Sequence, residues 1–92
     1  MEHIALNIHH DAKPDGGRFW AEVEGRRVEL DYQLEGKRAL FVHTGTDPAL
    51  GGRGFAAQIV QAGWDWAQSQ GLEVVPVCSY VAVWMQRNQH TS

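Results

Sequence analysis

Gly52-Arg53-Gly54-Phe55-Ala56 are the residues of this chain whose types and spacing best suit chemistry. Before them, Arg38 to Thr44 alternates around apolar Leu40 and Val42 and reads as a strand. After them, Phe55 to Ser69 has helical spacing and no proline. Glycine lets a backbone approach a ligand closely. The first amides of a helix have no partner inside it and carry partial positive charge, which suits a phosphate. The stretch is therefore read as an anion cradle built from amides of about Gly52 to Ala57, with Gly51 leading in and Arg53 adding a charge-assisted contact. The alternative is a tight strand-to-helix connection and nothing more. Two common phosphate loops do not fit. No Gly-Lys-Ser/Thr follows the glycines, and the downstream glycine of a dinucleotide fingerprint is missing.

Two further side chains could react. Cys78 ends an apolar stretch and precedes a second helical one, where a helix N-terminus can acidify a thiol. Free cysteine also packs as an ordinary buried residue. His43, with Thr44, closes the strand before the glycines, and an imidazole there could deprotonate an ammonium. Asp47 is close by and is equally an ordinary turn residue. His3, His9, His10 and Asp11 raise a metal reading. Adjacent residues on a strand point to opposite faces, and no second ligand set stands at zinc-like spacing, so no metal is expected.

These groups need elements to hold them. Glu2 to Ile8, with Ile4, Leu6 and Ile8 on one side, is expected to be a first strand. His9 to Gly17, with Pro14, Asp15, Gly16 and Gly17, is expected to be a turn. Arg18 to Glu24 alternates, with Trp20 on the wetter face. Arg27 to Glu35 alternates most cleanly, Val28, Leu30, Tyr32 and Leu34 against four polar residues. Gly36 turns into Lys37 to Thr44, completing an antiparallel meander of four strands. Gly45 to Gly51 is loop. Gly52 to Gln70 carries Phe55, Ile59, Gly63, Trp66 and Ala67 at helical steps, and Gly71 stops it. Leu72 to Cys78 reads as a buried fifth strand, and Tyr80 to Asn88 as a short final helix. The order β-β-β-β-α-β-α is a mixed α/β layout.

Composition narrows the function classes. The chain has 92 residues and a net charge of −3, enough for one domain and without the basic footprint of a nucleic-acid binder. No apolar run is long enough to span a membrane, and no secretion signal is visible. One cysteine cannot form an internal disulfide, which fits a reducing, cytoplasmic setting. Trp64, Trp66 and Trp84 at helical positions suit core or partner contacts.

The glycine stretch resembles motif A of the GNAT N-acetyltransferase superfamily, Arg/Gln-x-x-Gly-x-Gly/Ala, with Gly54-Phe55-Ala56 at its end and Gly51 in place of the usual Arg or Gln. His43-Thr44, Pro48, Val60, Ala67, Gly71 and Val75-Pro76-Val77-Cys78-Ser79-Tyr80-Val81-Ala82 extend the likeness to small, single-domain members over roughly residues 3 to 88. The resemblance implies a shortened GNAT fold spanning residues 1–92 as one domain. It implies acetyl-coenzyme A as cosubstrate, its pyrophosphate on Gly51, Gly52, Arg53, Gly54, Phe55, Ala56 and Ala57. It also implies contacts to the coenzyme from Thr44, Trp84 and Asn88, with Cys78 and His43 as candidate catalytic groups beside the thioester. Small relatives often carry an acid directly after His-Thr, where this chain has Gly45. The expected activity is direct acetyl transfer to an amine of a protein, a peptide or a small molecule, by a monomer or weak homodimer without nucleic-acid or membrane partners. The alternatives are a non-catalytic module that binds coenzyme A or acyl-coenzyme A, and an interaction protein with a vestigial loop.

Overall fold

The computed structural model describes residues 5–88. Five strands form one sheet in the order β1 (His9–Lys13), β2 (Gly16–Val23), β3 (Arg26–Glu35), β4 (Arg38–Thr46) and β5 (Glu73–Pro76). The first four pair antiparallel as the expected meander, and β5 pairs parallel to β4. A single turn of 3-10 helix (Pro48–Leu50) and the long helix α1 (Phe55–Ser69) make the crossover from β4 to β5. A shorter helix, α2 (Ser79–Arg87), follows β5. The architecture is a mixed α/β sheet with two helices, consistent with a shortened GNAT fold.

One expectation fails at the N-terminus. Residues 5–8 are not strand, and the rest of the stretch expected to be the first strand, like His3, lies outside the described residues. The first strand is instead His9–Lys13, read above as part of a turn. It hides from hydropathy because its inward anchor is an imidazole. His10 stacks on Phe19 with ring centroids 4.0 Å apart, meets Trp66 edge-on at 4.8 Å and bonds through Nε2 to the Tyr32 hydroxyl at 2.6 Å. His9 points the other way and stacks on Trp20 at 4.3 Å.

Alternation puts Phe19, Ala21, Val28, Leu30, Tyr32, Ala39 and Phe41 on one face, where they are buried with Ile59, Val60 and Ala67 of α1. The helix lies tight on this face. A Cβ built on Gly63 would come 2.6 Å from Leu30 Cδ2, so glycine allows the approach. α2 runs beside α1, with Trp84 against Trp64 at 6.0 Å between ring centroids. Within β5 only Val74 is buried, because β5 is an edge strand. The opposite sheet face carries Arg18, Trp20, Glu22, Arg27, Glu29, Asp31 and His43, none of them buried.

The decisive irregularity is in β4. Asp31 pairs with His43 and Tyr32 pairs with Phe41, leaving Val42 as an extra residue. Such a β-bulge shifts the alternation by one. Before it, Ala39 and Phe41 point into the core. After it, Thr44 and Thr46 pair with fully buried Leu30 and Val28 and share their face, while His43 and Gly45 pair with Asp31 and Glu29 on the open face.

Candidate active site

β4 and β5 part just beyond the bulge. Their pairing ends at Phe41 and Pro76, followed by one bond from the Cys78 amide to the Phe41 carbonyl at 2.9 Å. β4 continues to Thr46 with no β5 beside it. A cavity of about 410 Å³ opens there, lined by Thr44, Thr46, Leu50, Gly51, Gly52, Gly54, Phe55, Ala56 and Tyr80.

The glycine loop forms one wall. Gly52 and Gly54 hold φ of +78° and +81°, a region that side chains other than glycine rarely enter. Gly54 is the N-cap of α1 and offers no capping side chain, so the first helical amides are left for something else. Gly51 differs from its neighbours. Its amide already bonds the Pro48 carbonyl at 3.1 Å, so it lines the cavity without offering that donor. Phe55 is buried and contributes mainly backbone. Its ring sits under the Arg53 guanidinium, 4.9 Å from centroid to Cζ.

Arg53 is held at the edge of this wall by Glu24, a residue of the β2–β3 turn. Its two terminal nitrogens donate to the two carboxylate oxygens at 3.1 and 3.2 Å. That bond and the guanidinium charge hold the Glu24 carboxyl below its ordinary range. Both partners are charged at neutral pH, and a phosphate in the cavity would compete with Glu24 for Arg53.

Cys78 is the N-cap of α2 and sits where the strands separate. Its Sγ lies 3.5 Å from the Thr44 hydroxyl. Burial alone would push the thiol up. The Thr44 hydroxyl and the amides of Val81, Tyr80 and Thr44 outweigh it, and the thiol falls below its ordinary value. Neither α2 amide closes a full capping bond to the sulfur, so these are field contributions more than fixed contacts.

Tyr80, two residues on, was not singled out from the sequence as a site residue. It lines the cavity with 38% of its surface still exposed, and partial burial raises its phenol above the ordinary value. Only its position in the first turn of α2, next to the cavity, distinguishes it from a packing tyrosine. Ala57, Trp84 and Asn88 line a different space, a groove of about 620 Å³ between α1 and α2 that Tyr80 also touches. Trp84 is buried, and the Asn88 side-chain amide bonds the Trp84 carbonyl at 2.8 Å. The expected coenzyme contacts thus divide between two adjoining spaces.

His43 stands apart from both, on the open face, because of the bulge. Its Nε2 is 3.5 Å from Glu29 Oε2. Glu29, Asp31 and His43 bring one possible ligand atom each within 4.8 Å of one another. Arg18 already occupies this group, 2.6 Å from Asp31 and 3.6 Å from Glu29, and supplies the positive charge that a cation would.

Residues 18–92 match a family model described as GCN5-related N-acetyl-transferase. No curated protein matches the chain.

Proposed function

We propose, starting from the fact that the chain belongs to the GCN5-related N-acetyltransferase family, that it binds acetyl-coenzyme A and passes the acetyl group to an amine. The observation that carries this reading is the cavity between the uncapped start of α1 and the parted ends of β4 and β5.

The coenzyme pyrophosphate would take the amides of Gly52 to Ala57, with Ala56 and Ala57 small enough to let it lie against the helix start. Its arm would follow the Thr44 side of β4, where no β5 partner exists. Trp84 and Asn88, in the groove between the helices, would flank the remainder. The thioester supplies an activated acyl carbon. The amine nitrogen forms a bond to that carbon as the carbon–sulfur bond breaks, and the leaving sulfur needs a proton. Tyr80 suits that task because its phenol is protonated at neutral pH, and the proton the nitrogen sheds on becoming an amide restores it. Cys78 touches Thr44, which lines this space, and with its acidified thiol is the alternative acyl acceptor. His43 would take the proton that the ammonium must lose before attack. Holding amine and thioester in register could supply much of the rate, since a near-attack geometry can be worth about 7–11 kcal/mol.

Ala56→Glu tests the cradle. A carboxylate in the first turn favours the helix, so the variant should fold at least as stably as the parent. The same charge in the cradle opposes a diphosphate and should weaken acetyl-coenzyme A binding by about 100-fold or more in calorimetry. Undiminished binding would remove the loop from the site. Release of free thiol on adding a pool of primary amines separates an enzyme from a module that only binds the coenzyme. Cys78→Ser should keep most of that thiol release if transfer is direct, and lose it if Cys78 carries the acyl group.

A further inference from the structure

The face of the sheet opposite the helices holds a built arrangement around His43. Gly45 on β4 is the register partner of Glu29 on β3. A Cβ on Gly45 would lie 3.1 Å from both Cγ and Oε2 of Glu29 and 3.2 Å from His43 Nε2. The space beside Gly45 is therefore filled from two sides, by the carboxylate from the neighbouring strand and by the imidazole from its own. The Glu29 carboxylate is divided between two partners. Oε1 faces Arg18 Nη1 at 3.6 Å, and Oε2 faces His43 Nε2 at 3.5 Å. Arg18 in turn is bound to Asp31, Nε to Oδ1 at 2.6 Å and Nη2 to Oδ2 at 3.2 Å, which takes up the charge of the acid directly across from His43. The Glu29 side chain is 21% exposed and that of His43 55%, so a sheltered carboxylate backs an imidazole that faces water.

We propose that Glu29 is the positioning residue for His43 as the base that deprotonates the acceptor amine, and that position 45 is glycine because a side chain there would push the two apart. The proposal rests on the acetyl-transfer reading and adds that the amine comes in from the open face. The coenzyme cavity lies on the helix side of β4, with Thr44 lining it, while His43 lies one residue away on the other side. The amine would come to the gap between β4 and β5 from the open face, the face that carries His43. Nε2 faces the Glu29 carboxylate at 3.5 Å as a charge contact, the other ring nitrogen accepts the proton from the ammonium, and the carboxylate stabilises the imidazolium so formed. The charged groups facing His43 are Glu29 and Asp31 from β3 and Arg18 from β2. β5 ends before this level and contributes none.

Two measurements test it. The first is the kinetics of thiol release from acetyl-coenzyme A with primary amines, kcat and KM taken separately, on the parent, E29Q and G45A. Glu29→Gln keeps the shape and removes the charge. In E29Q kcat should fall by about 10-fold with KM for acetyl-coenzyme A unchanged, and kcat of G45A should fall as well. The second is acetyl-coenzyme A binding by calorimetry, which should be the same in all three. An E29Q kcat equal to that of the parent overturns the Glu29 assignment. A parent that binds acetyl-coenzyme A but releases no thiol overturns the acetyl-transfer reading, and the base role with it. A raised KM with an unmoved kcat would show that Glu29 serves only the shape of the face.

Discussion

Cys78 and Thr44 are 34 residues apart in sequence and 3.5 Å apart in the fold. The contact has a measurable consequence, because a thiolate reacts and a thiol does not. With the thiol below its ordinary value, alkylation of Cys78 by iodoacetamide should reach half its maximal rate at a lower pH than an unperturbed cysteine, about 8.5. Thr44→Val removes the hydroxyl and should raise that midpoint, and saturating coenzyme A should slow the reaction at every pH. Gly54 makes a second residue-level prediction. Its φ of +81° would cost an alanine about 1–2 kcal/mol, seen as a lower urea midpoint for Gly54→Ala at unchanged m. The candidate site was only partly legible at this scale. Gly52, Gly54 and Ala56 stood out because glycine before a helical period is a strong local signal. The engagement of Arg53 with Glu24 did not, since it depends on where a turn 29 residues earlier comes to rest. Tyr80 and Glu29 were missed for the same reason. Their roles depend on which residue lies across a strand or a gap, which local spacing does not encode.

At the level of elements, α1 and the meander were readable because both present an apolar face at their own period, 3.6 for the helix and 2 for the strands. The first strand was not. Of its inward residues, His10 packs through aromatic stacking and Ala12 is exposed, so hydropathy sees a polar run. The bulge at Val42 leaves no compositional mark at all. α1 also carries a packing constraint that helix propensity opposes. Alanine is a better helix former than glycine by about 1 kcal/mol. Gly63→Ala would nevertheless drive its Cβ into fully buried Leu30 and against Phe41. Overpacking of this kind costs about 1–3 kcal/mol, so after the propensity gain a net loss of up to about 2 kcal/mol is expected in chemical denaturation. A stabilising Gly63→Ala would mean that α1 can slide over the sheet.

Across the whole molecule, His10 ties β1 to the aromatic cluster of Phe19, Tyr32 and Trp66. Burial lowers its pKa from 6.5, and nearby Asp11 offsets this only in part. The unfolded chain therefore takes up the proton first. This contribution to stability is whole above about pH 6.5 and is lost as pH falls toward the folded value. The Glu24 and Asp47 carboxyls, also depressed, act only at more acid pH. Between about pH 7.5 and about pH 5 the Tm should fall, and His10→Gln should flatten that slope. Among the described residues, no helix is long and apolar enough to cross a membrane.

The surplus residue at Val42 governs which water-borne groups the molecule can meet from each side. Were that one amino acid taken into regular pairing opposite Asp31, strict two-by-two pleating would carry on along the strand. The imidazole would then turn beneath the long helix, and the threonine hydroxyls would turn outward. The composition of the chain would not change, but the proposed donor and recipient would no longer be addressed from opposite directions.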